Sequence, residues 1–200
     1  MLISRSARES HLYMDLHPCD CGQAEFARDH HLIDRDGVMV SVYEGFCQSC
    51  DRLRSFEFGH PDELEPAVPA FGGPDPSTII DPGEYLSVAD QVGTDAGLRL
   101  LNSPPAEHNE QRAKFEYAIA ALEEVLKFLP AGLEEIPAEA FTSPRGREIY
   151  RKDPTRFTRF WLNDDLARKR RILAGIDRFS RPSESGPVTW NTPPPPTPAN

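Results

Sequence analysis

The sequence predicts an α+β protein in which a small antiparallel sheet precedes an α-helical bundle. Two observations lead to this prediction. The chain's cysteines all fall in one N-terminal stretch, around residues that alternate between apolar and polar as in a strand: Cys19, Cys21, Cys47 and Cys50. From residue 107 to residue 180, by contrast, apolar residues recur every three or four positions, which is typical of amphipathic helices.

The cysteines form two close pairs, and each pair is followed by a residue suited to a tight turn. The pairs are C-D-C at 19–21 and C-Q-S-C at 47–50. Gly22 follows the first pair and Asp51 the second, and both residue types tolerate a positive φ better than most. In an intracellular chain, such paired cysteines more often bind a metal ion than form disulfides, so the sequence predicts a metal site.

The residues around the cysteine pairs predict short strands. Residues 24–33 form the first arm of a hairpin, D-R-D-G at 34–37 is its turn signal, and the alternating Val38–Phe46 is its second arm. Leu53–Phe58 predicts a third strand. A short strand is also expected at 12–16, where apolar and polar residues alternate before the first cysteine pair.

Residues 15–58 resemble a zinc ribbon, so the predicted fold is a small antiparallel zinc ribbon followed by an α-helical bundle. The resemblance implies a structural Zn²⁺ held by four thiolates: Cys19, Cys21, Cys47 and Cys50. The first pair departs from the commoner C-x-x-C spacing. His17 is therefore a candidate substitute ligand, because closed structural zinc sites accept Cys₃His as well as Cys₄. A redox-active Cys47–Cys50 pair is disfavoured, since the βαβ pattern around such dithiols is absent from the sequence.

Composition divides the chain into four predicted parts. Residues 1–60 form the zinc ribbon, residues 61–77 a Pro/Gly-rich linker and residues 78–180 the helical domain. Residues 181–200 form a Pro-rich tail that is expected to be disordered or polyproline II, because its composition offers little apolar surface to bury.

The helical domain begins with a strong capping signal. Asp81 fits the N-cap, Pro82 the first helical position and Glu84 the third, and Gly93 is expected to end this helix. A loop is expected at 94–106.

Three further helices follow in the prediction. The clearest covers 107–129 and stops at Pro130. One short turn of helix is allowed at 136–141, and Ser143-Pro144 opens a helix that ends near Tyr150. The last opens at Asp153-Pro154, and the polar run at 163–165 predicts a break within it.

Charge is unevenly distributed along the chain, whose net charge is −10. Residues 57–143, the acidic block, carry 17 acidic and 4 basic residues. Residues 144–181, the basic segment, carry 5 acidic and 12 basic residues, including Arg168-Lys-Arg-Arg171. An acidic surface repels nucleic acid and attracts basic proteins, whereas the basic run is either a phosphate-binding patch or a solvated helix face that neutralises the acidic block.

These observations predict a cytoplasmic, non-enzymatic protein-binding module. No apolar run is long enough for a membrane span, and the N-terminus lacks the apolar region of a signal peptide. No phosphate-binding or nucleophile motif can be read from the chain. The expected partner is a basic protein, most concretely one inhibited in the manner of an immunity protein or antitoxin. The alternative is a nucleic-acid-associated adaptor that uses the basic C-terminal helices.

Overall fold

A computed structural model describes residues 1–60, 70–102, 104 and 108–180. The predicted linker 61–77 lies partly, and the predicted tail 181–200 entirely, outside the described residues. The described part is a mixed α+β structure, as the sequence predicts, and it has four strands and five α-helices. In chain order these are β1 (Leu2–Ile3), α1 (Ala7–Leu16), β2 (Asp29–Arg35), β3 (Val38–Phe46), β4 (Leu53–Gly59), α2 (Pro82–Leu100), α3 (His108–Lys127), α4 (Pro144–Lys152) and α5 (Arg159–Ser180).

The strands form one sheet in the order β1-β4-β3-β2. The predicted hairpin is confirmed, since β2 and β3 pair antiparallel from Asp29↔Glu44 to Arg35↔Val38. Its first arm covers Asp29–Arg35 rather than the expected 24–33. Its two-residue turn places Asp36 at φ 58° and Gly37 at φ 82°. Two positive φ values are typical of a type I′ turn, whose twist matches that of the flanking strands. The third predicted strand is also confirmed as β4, and β1 adds a short parallel strand that the sequence did not indicate.

The strand predicted at 12–16 is wrong, because these residues belong to helix α1. Ser6 caps the helix by accepting a hydrogen bond from the Glu9 N–H at 3.1 Å. The S-x-x-E spacing of this cap is present in the sequence. It is a stronger signal than the short run of alternating apolar and polar residues that follows it. Helix α1 lies against the sheet, where the Tyr13 ring meets the Phe58 ring edge-on at 5.7 Å.

The N-terminus of helix α2 is formed as predicted. The Asp81 carboxylate accepts from the Glu84 N–H at 3.0 Å, and the Glu84 carboxylate accepts from the Asp81 N–H at 3.2 Å. The predicted end at Gly93 and the predicted loop from residue 94 are wrong, because α2 continues to Leu100. At Gly93 a side chain would meet Lys169 Cε at 3.3 Å, so this glycine serves the close approach of α5 rather than helix termination.

The remaining helices follow the prediction with two exceptions, both in the last helix. Its expected start at Asp153-Pro154 is wrong, because Pro154–Phe157 is a separate 3₁₀ turn and α5 begins at Arg159. Helices α3 and α4 begin and end within about two residues of the expected positions, and a short 3₁₀ turn occupies Ala138–Ala140. The break predicted at 163–165 is wrong, since α5 is continuous from Arg159 to Ser180. Asp165 is buried there and accepts from Lys169 Nζ at 2.7 Å within the same helix.

One apolar core joins helix α1 to the helices that follow the sheet. Leu12 of α1 lies in the same buried cluster as Leu86 of α2, Leu122 of α3 and Leu166 of α5. A smaller cluster of Met14, Phe26, Tyr43 and Phe58 lies between α1 and the sheet. Helix α1 is therefore packed on both sides, and the division of the chain into domains at residues 60 and 78 stays a prediction.

We expect a Gly146→Ala substitution to destabilise the protein by about 3 kcal/mol, because overpacking and the loss of a cap add together. A Cβ at Gly146 would lie 2.1 Å from Asp81 Oδ1, and a Cβ at Gly83 would lie 2.6 Å from the Gly146 Cα. The start of α4 therefore has no room to accept a methyl group beside the α2 cap.

The matched control is Gly175→Ala in helix α5, where a Cβ meets nothing within 4 Å. This change should be neutral or stabilise by up to about 1 kcal/mol, because alanine is the better helix former. Thermal unfolding of both variants tests the close approach of Gly146 to Asp81. Equal melting temperatures for Gly146→Ala and the native chain would contradict it.

Candidate metal centre

The four cysteines lie together at one end of the sheet. Their Sγ atoms are all within 4.8 Å of one another, and the group is the one such cluster of metal-ligating side chains among the described residues. Cys19 Sγ is 3.5 Å from Cys50 Sγ, and Cys21 Sγ is 3.5 Å from Cys47 Sγ. All four are free thiols.

These separations fit a tetrahedral metal ion. Zinc–thiolate bonds of about 2.3 Å in a tetrahedron place the sulfur atoms about 3.8 Å apart. The observed sulfur–sulfur distances, from 3.5 Å to at most 4.8 Å, bracket that value. The four side chains could therefore hold one metal ion after small adjustments of their rotamers.

Two tight turns point the cysteines towards one another. In the first, the Gly22 N–H donates to the Cys19 carbonyl at 2.7 Å, and Gly22 has φ 90°. In the second, the Asp51 N–H donates to the Cys47 carbonyl at 2.9 Å, and Asp51 has φ 56°. Both residues adopt the positive φ that was expected from the sequence.

The thiols in the second turn have very different pKa values. A backbone N–H from Ser49, with another from Cys50, lowers the pKa of Cys47 to about 6. At Cys50 a hydrogen bond from the Arg52 N–H also lowers the pKa of the thiol. Hydrogen bonds with the other thiols of the cluster have the opposite, larger effect and raise the pKa of Cys50 to about 12. Clustered thiols therefore resist full ionisation by themselves, and a divalent cation is the group that would stabilise all four as thiolates.

Arg54 links the first cysteine turn to the end of helix α1 through hydrogen bonds. The side chain is buried, and its guanidinium donates to the carbonyl oxygens of Ala24, at 2.6 Å, and His17. It also lies over the Phe26 ring at 4.3 Å from the centroid. Arg52 pairs with Asp20 across the two turns. Sequence reasoning missed both arginines, because nothing in the local pattern distinguishes them from solvated strand residues.

His17 is not a member of the sulfur cluster. Its Nδ1 lies 2.8 Å from the Tyr13 carbonyl oxygen, and its ring stacks on the Tyr13 ring at 3.9 Å. Because a carbonyl only accepts, this contact requires the proton on Nδ1. The structure thus gives His17 a role at the C-terminal end of α1, and Cys19 and Cys21 both supply sulfur atoms to the cluster.

The cluster is half open to solvent. Cys19 and Cys47 are buried, whereas Cys21 and Cys50 are exposed. Directly beside them, Phe46 and Leu53 face each other across β3 and β4 with 58% and 56% of their surfaces exposed. The metal centre therefore lies next to an exposed apolar pair at the end of the sheet.

The helices also form a groove that lies far from the cysteines in sequence. It has a volume of about 690 Å³ and runs along α2 beside α4. Arg156 in this groove pairs with Asp90 at 2.7 Å, and it lies over the Trp161 ring at 4.4 Å. The charges of Arg156 and Asp90 therefore offset each other within the groove.

Comparisons of the chain with protein-family models, curated proteins and solved structures find no match. The interpretation of the cysteine cluster therefore rests on its own geometry. Among the helices of the described residues, none is long and apolar enough to cross a membrane.

Proposed function

We propose that the cysteine cluster is a structural zinc centre in a zinc-ribbon-like sheet, and that the chain is a non-enzymatic protein-binding module of the cytoplasm. The convergence of all four Sγ atoms within 4.8 Å is the observation that carries the proposal. Four protein thiolates complete a tetrahedron and leave no open position for substrate or water, which is the arrangement of structural rather than catalytic zinc.

Metal analysis of the native chain tests the first half of the proposal. We expect one zinc ion per chain after purification without added metal. Replacement by Co²⁺ should give the absorption spectrum of a tetrahedral tetrathiolate site. A chain that carries no metal, or a Co²⁺ spectrum with fewer than four sulfur ligands, would contradict a Cys₄ centre.

The charge distribution supports a basic protein as the partner. The chain has a net charge of −10. Several cations of the basic segment form ion pairs with carboxylates of the same chain. Arg156 pairs with Asp90 at 2.7 Å, and Arg170 pairs with Glu123 at 2.7 Å, so the basic segment contacts the acidic block. The acidic charge that remains would accelerate encounter with a cationic surface.

The run Arg168–Arg171 is a weaker phosphate site than its sequence indicates. Arg168 and Lys169 both pair with Asp165. Although burial acts to raise the pKa of Asp165, hydrogen bonds from Lys169 and Arg168 hold it below its usual range. A carboxylate that stays ionised beside these two cations reduces the positive potential that a phosphate would meet.

An immunity or antitoxin-like role is the most concrete form of the proposal. Tagged, zinc-loaded protein should retain a basic protein from a lysate of its source cell at low salt and release it at high salt, because exposed charge pairs are screened. The retained protein should then bind the purified chain directly and lose its own activity. A partner that binds equally well at all salt concentrations would contradict an electrostatic interface.

Helix α4 is the observation that favours the alternative, a nucleic-acid-associated adaptor. Arg147 and Arg151 are exposed on this helix, and among the described residues their guanidinium groups donate to backbone carbonyls, such as that of Ser143 at 3.3 Å, rather than to carboxylates. They leave positive charge on one exposed helix face.

We expect labelled duplex DNA and single-stranded RNA to show no retardation in a gel at low salt, because the net charge of the chain opposes phosphate binding. If a shift appears and Arg147→Ala/Arg151→Ala abolishes it while Arg99→Ala does not, the adaptor function replaces the protein-binding one. Arg99 is a suitable control because it is exposed and paired locally with Asp95.

A further inference from the structure

Within the described residues, β2 is a long edge strand that pairs on one side only. It is the outermost strand in the order β1-β4-β3-β2, and its seven residues pair with β3 without a bulge. Six of these residues are exposed, and Ile33 is half-buried. The opposite edge, β1, has only two residues. A long, regular edge without proline is a template for a further strand.

The hairpin geometry determines which backbone groups of β2 face outward. A two-residue turn makes Arg35 and Val38 the pair that exchanges both hydrogen bonds. Because such pairs alternate along an antiparallel ladder, Ile33, His31 and Asp29 also bond to β3. The N–H and C=O groups of His30, Leu32 and Asp34 therefore point away from the sheet and towards the open edge.

We propose that β2 pairs antiparallel with β2 of a second copy of this chain, so that two sheets join into one of eight strands. Full overlap of Asp29–Arg35 with itself places Leu32 on the two-fold axis. The outward groups of His30, Leu32 and Asp34 then meet their counterparts and form about six interchain hydrogen bonds. A two-fold axis perpendicular to the sheet also keeps opposite side chains on the same face.

The charges of β2 are self-complementary in this register. Asp29 faces Arg35 of the second copy, which is the pair of opposite formal charges, and the polar His30 ring faces the Asp34 carboxylate of the second copy. Each of these pairs occurs twice because of the symmetry. Edges that are protected against pairing commonly carry charges that repel an approaching strand, whereas here the charges attract a copy of the same strand.

Leu32 and Arg35 are exposed at this edge, whereas His30 Nε2 lies 3.1 Å from Ser41 Oγ and an Asp34 oxygen accepts from the Gly37 N–H at 3.1 Å. Leu32 is 57% exposed and would be covered by its symmetry mate. Arg35 donates to the Glu57 carboxylate through two nitrogens at 2.6 and 2.9 Å. Glu57 lies on β4, away from the open edge, so Arg35 would exchange this pair for Asp29 of the second copy. The exchange costs little, because both partners of the Glu57 pair are substantially exposed.

Sedimentation velocity of the full-length, zinc-loaded chain over a concentration series tests the proposal. We expect a concentration-dependent species of twice the chain mass of 22.4 kDa. Asp29→Arg replaces two attractive pairs by two repulsive ones, so it should weaken the dimer by about tenfold or more. Asp164→Arg makes the same charge change at an exposed position of helix α5 and should leave the dimer unchanged.

Two more variants make the test specific. Asp29→Arg/Arg35→Asp exchanges the charges and should restore the dimer, while Leu32→Lys places two ammonium groups at the two-fold axis and should abolish it. Circular dichroism checks that each variant is folded, because Arg35→Asp also removes the contact with Glu57. A native chain that stays monomeric throughout the series, or an Asp29→Arg dimer as tight as the native one, overturns the proposal.

Discussion

A Cys47→Ser variant is expected to bind no zinc and to lose the ordered structure of the sheet. Cys47 is only 2% exposed, and its Sγ lies 3.5 Å from Cys21 Sγ. A serine hydroxyl is a poor zinc ligand, and the binding of structural zinc contributes about 10–16 kcal/mol to the folding of small zinc domains. Strand β3 ends at Phe46 and leads directly into the second cysteine turn. Without the metal, this end of the strand would no longer be held to the first cysteine turn.

The variant should be compared with Ser49→Ala, which changes an exposed residue between the two ligands of the same turn. We expect Ser49→Ala to retain one zinc ion per chain and His17→Ala to do the same, since His17 lies outside the cluster. Zinc content by mass spectrometry and near-ultraviolet circular dichroism are the measurements. A Cys47→Ser protein with full zinc content and native dichroism would remove this residue from the ligand set.

Metal uptake should also release protons and weaken as the pH falls. The thiol of Cys50, whose pKa is raised to about 12 in the metal-free cluster, must lose its proton to become a ligand. Competition between protons and metal for the sulfur atoms therefore favours metal loss in acid. Zinc retained at acidic pH as well as at neutral pH would contradict thiolate ligation.

The hairpin, strand β4 and the cysteine cluster were predictable from the sequence because their signals are local. The turn residues Asp36 and Gly37 specify the hairpin, and the cysteine spacing specifies which ends of the strands must meet. The capping box at Asp81 is equally local, and it begins α2 where it was expected. In each case a few neighbouring residues determine the backbone conformation.

The errors within α2 and α5 arose where contacts of single side chains determine the outcome. Gly93 resembles a helix terminus, but it lies inside α2 because Lys169 of α5 crosses the helix there. Asp165 interrupts the apolar stripe of α5, but its pairing with Lys169 allows it to be buried within a continuous helix. Tertiary packing overrides local propensity at Gly93, whereas at Asp165 a pair within the helix itself compensates the buried carboxylate.

Arg54 and Arg5 show the same limit for buried charge. Arg54 binds carbonyl groups 30 and 37 residues earlier in the chain, and Arg5 pairs with Glu124, which is 119 residues later. No periodicity or motif distinguishes these arginines from exposed ones. Contacts over such separations are visible only once the fold brings the helices together.

Arg5→Met is expected to lower the free energy of unfolding by about 3–5 kcal/mol and the melting temperature by about 10 °C. The guanidinium of Arg5 lies 2.6 Å from Glu9 and 2.8 Å from Glu124. Both carboxylates are buried, and their other contacts are with the Tyr85 hydroxyl and the Lys127 ammonium. Removing Arg5 leaves two buried negative charges undercompensated at the junction of α1, α2 and α3.

The size of this effect depends on burial, so an exposed arginine is the appropriate control. Arg99→Met removes an ion pair with Asp95 whose partners are 59% and 44% exposed, and it should change stability by no more than about 0.5 kcal/mol. Adding Glu9→Gln and Glu124→Gln to Arg5→Met should recover part of the loss, because the uncompensated charge is then removed. If Arg5→Met and Arg99→Met have the same stability in urea unfolding, the buried cluster does not join α1 to the other helices as its geometry implies.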